Sequence, residues 1–167
     1  TPLIAGISRI EALYQSGDQR KYYVPCPSCG AKDSLVFSKR STGGGHYMVF
    51  DSAAPAGAHF VCSANGCVIE HKDKRRMVEA GEWRSSAPFT GHASFHIWSA
   101  YSYSPNATWG QIATEFLEAK RGGRETLRTF VNTTLGETFV ETGEAPDWER
   151  LYARREQYQI GTVPEGV

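Results

Sequence analysis

Four cysteines in two close pairs are the residues best suited to chemistry in this sequence. Cys26 and Cys29 stand in Pro25-Cys26-Pro27-Ser28-Cys29-Gly30, and the second pair closes Cys62-Ser63-Ala64-Asn65-Gly66-Cys67. A tight turn between Cys26 and Cys29 aims both thiolates at one centre, and Gly30 supplies the permissive backbone such a knuckle needs. The second pair encloses a wider loop, in which Asn65-Gly66 is a turn dipeptide. Zinc in a closed structural site takes four tetrahedral ligands, and two such pairs provide them. The expectation is therefore a structural Zn2+ held by Cys26, Cys29, Cys62 and Cys67. Such a site leaves no position open for water or substrate, so it contributes folding energy rather than catalysis. Two other readings stand beside it: disulfide or redox use, and buried free thiols. A redox Cys-x-x-Cys normally opens a helix in a βαβ unit, whereas these flanks read as strands and turns. His46, His59 and His71 are substitute ligands in principle, but four thiolates already complete the site.

Catalytic motifs are harder to find. The sequence has no Gly-x-x-x-x-Gly-Lys-[Ser/Thr], no Gly-x-Ser-x-Gly elbow and no His-Glu-x-x-His, so no phosphate-cradling loop, acyl-transfer nucleophile or zincin site of these types is present. The run Met48-Val49-Phe50-Asp51 reads as a strand end. Lys72, Lys74, Arg75 and Arg76 form a basic run after the second knuckle and are the candidates for contact with a phosphate backbone. The plainer reading is a solvated helix face balanced by Glu70, Asp73 and Glu79. Tyr22, Tyr23, Trp98, Tyr101 and Tyr103 could stack on single strands, although aromatics at strand positions are by default core.

Bulk properties limit these choices. The chain has 167 residues, with 40% apolar and 22% charged, the composition of an ordinary globular protein. Lys plus Arg and Asp plus Glu number 18 each, giving zero net charge, so a globally basic nucleic-acid binder is not indicated. No apolar run approaches the roughly 20 residues of a membrane helix. The start, Thr1-Pro2-Leu3-Ile4-Ala5-Gly6, has no charged n-region and no signal-peptide character. The expected compartment is thus reducing, which disfavours disulfides, and the abrupt start is that of an excised fragment.

The elements that must position the cysteines follow from pattern. Ser8 to Gln15 reads as a helix with a capping box from Ser8 and Glu11. Strands are expected over Lys21–Val24, Ser34–Ser38, His46–Asp51, His59–Cys62 and Ala93–Ser99. Ser41–Gly45 and Ser52–Ala58 read as loops. Asp73–Ala80 reads as a basic helix stopped by Gly81. Thr108–Arg121 is an amphipathic helix, with Trp109, Ile112, Ala113, Phe116 and Leu117 on one face. Helices over Glu125–Thr133 and Asp147–Gln157 follow, and Ile160–Val167 reads as a linker. The fold class is α+β: a small zinc-ribbon-like antiparallel β unit with an added α-helical part. The expected division is a lead-in over 1–20, the cysteine unit with its basic helix over 21–92, a strand plus helical region over 93–160, and a linker over 161–167.

Ordered pieces of the sequence resemble the middle of the large terminase subunit of lambda-like tailed bacteriophages. They are Ser8-Arg9-Ile10-Glu11, Asp18-Gln19-Arg20-Lys21-Tyr22, Val24-Pro25-Cys26-Pro27-x-Cys29-Gly30, Ile69-Glu70-His71-x-x-Lys74, Met77-x-x-x-Gly81-Glu82-Trp83, Ser94-Phe95-His96, Tyr103-Ser104-Pro105, Trp109-Gly110-Gln111-Ile112, Phe130-Val131-Asn132-Thr133-Thr134-Leu135-Gly136-Glu137 and Gly143-Glu144-Ala145-Pro146-Asp147-Trp148. The resemblance implies a protein that packages viral double-stranded DNA, with an ATPase domain before this segment and an RNase H-like nuclease domain after it. It implies ATP and Mg2+ as cofactors of those missing parent domains only. It implies the small terminase subunit and the portal as partners, no membrane, and assembly in the host cell cytoplasm. No catalytic residue carries over, so the segment is expected neither to hydrolyse ATP nor to cut DNA alone. The cysteine pairs carry over as ligands, and the wider second loop departs from a plain Cys-x-x-Cys. A free-standing zinc-ribbon nucleic-acid-binding module is the alternative.

Overall fold

The computed structural model describes residues 4–39, 41 and 44–140. It is built on seven strands: β1 (Arg20–Pro25), β2 (Lys32–Val36), β3 (His46–Val49), β4 (His59–Val61), β5 (Val68–Ile69), β6 (Glu82–Arg84) and β7 (Phe95–His96). The order across the sheet is β5-β4-β3-β2-β1-β6, with β7 also on β1. β1 pairs with β2 antiparallel through Tyr23 to Pro25, and with β7 parallel through Arg20 and Lys21. β2 and β7 therefore share one edge of β1, while β6 takes the other at Lys21 to Tyr23.

The expected antiparallel unit is in fact a mixed sheet, because β2 pairs with β3 in parallel. Strand count explains this. The β1–β2 and β4–β5 hairpins both turn at a cysteine pair, and both turns lie at the same end of the sheet. A single strand inserted between two hairpins so aligned must run parallel to one neighbour. β3 is antiparallel to β4 and parallel to β2. The same insertion accounts for the long spacing between the cysteine pairs.

Four helices follow the expected positions: α1 (Arg9–Ser16), α2 (Lys74–Glu79), α3 (Trp109–Arg121) and α4 (Arg124–Phe130). Ser8 caps α1 by accepting from Glu11 N–H, and Thr108 caps α3 by accepting from Gln111 N–H. The expected helix beyond Glu125 ends in a π-helical turn over Val131–Leu135, closed by Gly136 in the left-handed region. The strand expected over Ala93–Ser99 is only Phe95–His96, and two short strands, β5 and β6, are additional. The expected helix over Asp147–Gln157 and the linker over Ile160–Val167 lie outside the described residues.

One core serves strands and helices together. Val24, Leu35, Met48, Phe60, Ile69 and Met77 from the sheet and α2 are buried with Trp98, Trp109, Ile112 and Phe130 from the later part of the chain. Phe60 and Trp109 meet edge to face, with ring centroids 4.6 Å apart. Trp98 Nε1 donates to Leu35 O at 2.8 Å. Tyr101 Oη donates to Tyr22 O and accepts from Leu35 N–H, each at 2.7 Å. Trp98 and Tyr101 thus tie the core to the backbones of β1 and β2 and are not free to stack on a single strand. Tyr103 stays exposed.

Candidate metal centre and the domain seam

The two knuckles are the same turn. In the first, Gly30 N–H donates to Cys26 O at 2.9 Å and Cys26 N–H donates to Ala31 O at 2.8 Å; in the second, Gly66 N–H donates to Cys62 O at 2.9 Å and Cys62 N–H donates to Cys67 O at 2.9 Å. Gly30 and Gly66 have φ of 73° and 67°, the left-handed conformation that costs glycine little. This equivalence explains the wider second loop. The position matching Cys29 is held by Asn65, and the second thiol of that pair comes two residues later, at Cys67.

All four sulfurs lie within 4.8 Å of one another. Cys29 Sγ and Cys62 Sγ are 3.7 Å apart. Zn–S bonds of about 2.3 Å in a tetrahedron place sulfurs about 3.8 Å apart, whereas a disulfide needs about 2.05 Å. The four thiols are free of disulfides, and the donor set fits a tetrahedral soft-metal site. Cys26 and Cys62 are buried, at 2% and 1% exposure, while Cys29 faces solvent. Burial pushes the Cys26, Cys62 and Cys67 thiols up. Asn65 beside Cys29, aided by a backbone N–H, brings that thiol down to about 6. One thiol thus tends to the thiolate even without metal, and the others need a cation to hold them ionised.

None of the three histidines joins this cluster. His46 is fully buried on β3, and its Nδ1 accepts from Ser63 N–H at 3.2 Å. Ser63 Oγ in turn donates to Asp33 Oδ2 at 2.7 Å. His46 therefore backs the second knuckle from behind, and burial keeps its ring below the usual imidazole range. His59 Nδ1 lies 3.1 Å from Gly57 O, and His71 packs against the Trp109 ring with centroids 5.1 Å apart.

The basic run is divided by the fold. Lys72 pairs with Glu70, Arg75 with Glu79 at 2.8 Å, and Arg76 with Asp73 at 3.1 Å. Lys74 is a correction to the expected basic face. It is 5% exposed and donates to Ala107 O at 2.9 Å, because α2 turns this position toward the start of α3. Burial lowers its ammonium to about 8. Lys72, Arg75 and Arg76 remain at the surface, each with a carboxylate partner.

In the sequence Asp18 stands out only as the first residue of Asp18-Gln19-Arg20-Lys21-Tyr22, one of the pieces that carry the resemblance. The structure makes Asp18 a wholly buried carboxylate. Its oxygens accept from Arg20 Nε–H at 2.7 Å and Ser94 N–H at 3.1 Å. Burial alone raises its pKa, but the Arg20 and Ser94 hydrogen bonds outweigh it and hold the carboxyl below the usual range. The available signal was an acid beside an arginine at a strand entrance, a pattern too common to single out.

Residues 1–83 match the family model described as "Phage terminase large subunit gpA, ATPase domain", and residues 92–167 match "Terminase large subunit gpA, endonuclease domain". The chain is 34% identical over its whole length to the "Terminase, large subunit" of Escherichia phage lambda, and 34% identical to that of Enterobacteria phage P21. It spans 28% of the length of each of these relatives. No solved structure matches the chain. Residues 84–91 separate the two family matches, yet β7 from the second completes the sheet of the first, and Trp98, Tyr101 and Trp109 fill its core. Among the described residues the two matched stretches are therefore packed as a single unit. With both domain models of one protein matched in order and whole-chain identity to two phage proteins, this chain belongs to the lambda-like family of phage terminase large subunits.

Proposed function

We propose that this chain is the central joint of a DNA-packaging terminase large subunit, stapled by one structural zinc. Cys26, Cys29, Cys62 and Cys67 hold the ion, which supplies a cross-link between the β1–β2 and β4–β5 turns. The observation carrying this reading is the cluster of four sulfurs within 4.8 Å of one another, two of them 3.7 Å apart, in a unit that joins stretches matched to an ATPase and an endonuclease domain. The parent is an ATP-driven DNA translocase and endonuclease, using ATP and Mg2+ in its catalytic domains. Its partners are viral double-stranded DNA, the small terminase subunit and the portal, in the host cell cytoplasm. Residues 21–92 form the metal-bearing part, residues 1–20 lead in from the motor, and residues 93–167 lead on to the nuclease.

Within the joint, the chain's own residues do structural work. Gly30 and Gly66 set the two turns, His46 and Asp33 hold Ser63 behind Cys62, and the shared core fixes both hairpins to α3. The neutralised basic run argues against a free-standing nucleic-acid-binding module. The test is a Cys62→Ser, Cys67→Ser parent protein: it should lose zinc and DNA packaging together. Packaging at the parental rate without zinc would refute the reading, as would Mg2+-dependent ATP or DNA cleavage by this chain alone that a point substitution within it abolishes.

A further inference from the structure

The peptide between the two family matches, residues 84–91, contains Pro88 and Gly91 and would read as a flexible linker. Its ends are instead tied to one residue. Asp18 O accepts from Ser86 N–H at 3.1 Å and Ala87 N–H at 3.2 Å, and Asp18 N–H donates to His92 O at 3.1 Å. The Asp18 carboxylate takes Ser94 N–H, as described. Around it, Ser94 Oγ donates to Tyr14 O at 2.8 Å and accepts from Gln19 N–H at 2.9 Å. Ser86 Oγ donates to Gln19 O at 2.6 Å, and Arg20 N–H donates to Ser94 O at 2.8 Å.

The contact is close as well as polar. A Cβ on Gly17 would stand 2.4 Å from Ser94 Oγ. Gln19 is the one described non-glycine residue with positive φ, at 52°, a conformation that surrounding structure must enforce. Beyond the polar knot, the Arg20 guanidinium lies over the Phe95 ring at 5.3 Å, and Trp83 meets Phe95 edge to face at 5.0 Å. A buried carboxylate held by Arg20 and Ser94 is costly to leave half satisfied, and the same residue's backbone takes Ser86, Ala87 and His92, so the knot opens as a whole or not at all.

We propose that Asp18 is a positioning residue that locks the nuclease-matched segment onto the ATPase-matched one, making the seam a rigid joint rather than a hinge. Relative motion of the two catalytic domains is then confined to chain outside the knot. The inference rests on the family membership and not on the metal, so zinc content reports separately on the function proposed above.

Hydrogen exchange on the whole chain tests it. In Asp18→Ala, the amides of Ser86, Ala87 and Ser94 should exchange at least tenfold faster, while those of β3 and β4 keep their parental rates and zinc content is unchanged. Asp18→Asn retains an oxygen for Ser94 N–H and should recover part of the protection. Gly17→Ala, which leaves the carboxylate in place but displaces Ser94, should expose the same three amides. Parental exchange at those amides in both Asp18→Ala and Gly17→Ala would overturn the proposal. So would an equal acceleration in β3 and β4, which marks general destabilisation, or an Asp18→Asn protein no better protected than Asp18→Ala.

Discussion

Cys29 Sγ and Cys62 Sγ stand 3.7 Å apart although 33 positions separate them in the chain. That distance matches the edge expected of a zinc–thiolate tetrahedron and is too long for a covalent bond. It arises because two hairpins present the same turn at the same end of a sheet, with β3 between them. Chelation should therefore unfold more than a local loop. Zinc-finger peptides bind their ion with about 10–16 kcal/mol, comparable to the whole stability of a small domain. Excess chelator should abolish the cooperative thermal transition or lower its midpoint steeply, followed by circular dichroism. A chelated, metal-free chain melting at the parental temperature would contradict this.

The knuckle glycines give a finer test. A Cβ at Gly30 or Gly66 meets no atom within 4 Å, so substitution acts through the backbone alone. Gly30→Ala and Gly66→Ala should each cost about 1–2 kcal/mol, measured by denaturant unfolding. Because the turns are equivalent, the two costs should agree within the error of the measurement; a large disparity would show that they are not.

Tyr101→Phe should be costly for so small a change. The hydroxyl satisfies the β2 amide of Leu35 and the β1 carbonyl of Tyr22. Its loss leaves the buried Leu35 amide without this partner, at about 1–3 kcal/mol, and the half-buried Tyr22 carbonyl without its donor. Equilibrium unfolding reads the difference directly, and a neutral substitution would mean that water replaces the hydroxyl.

Lys74 predicts a pH dependence with a definite sign. Burial lowers its folded-state ammonium from 10.5 to about 8. Between these values the unfolded chain binds more protons than the folded one, so this residue makes stability rise with pH from about 8 to 10.5. The penalty is fully present below pH 8. Lys74→Met should remove this contribution, flattening the stability profile in that window, while leaving any salt dependence of DNA binding unchanged because the ammonium does not face solvent. An unaltered profile would place the ammonium in water.

Much of this was legible in the sequence, and the limits have physical causes. The cysteine pairs, the Ser8 and Thr108 caps and the 3–4 residue periodicity of α3 are local signals, and each appears where expected. The parallel β2–β3 pairing was not legible, because it depends on how two hairpins align across an inserted strand. The inward turn of Lys74 was hidden for a similar reason: a basic run on a short helix reads as a solvated face until the packing partner, here the start of α3, is known. The burial of Asp18 was not legible because it depends on Ser94, 76 positions away. The matching of Gly66 with Gly30 also needed hydrogen bonds, since spacing alone pairs Cys67 with Cys29.

The central claim is most directly tested by metal content. The chain, purified under reducing conditions without added metal, should carry one zinc per molecule by elemental analysis, and titration of its thiols should release that zinc in proportion. A folded chain with four titratable thiols and no bound metal would contradict the account, as would a Cys26–Cys29 disulfide.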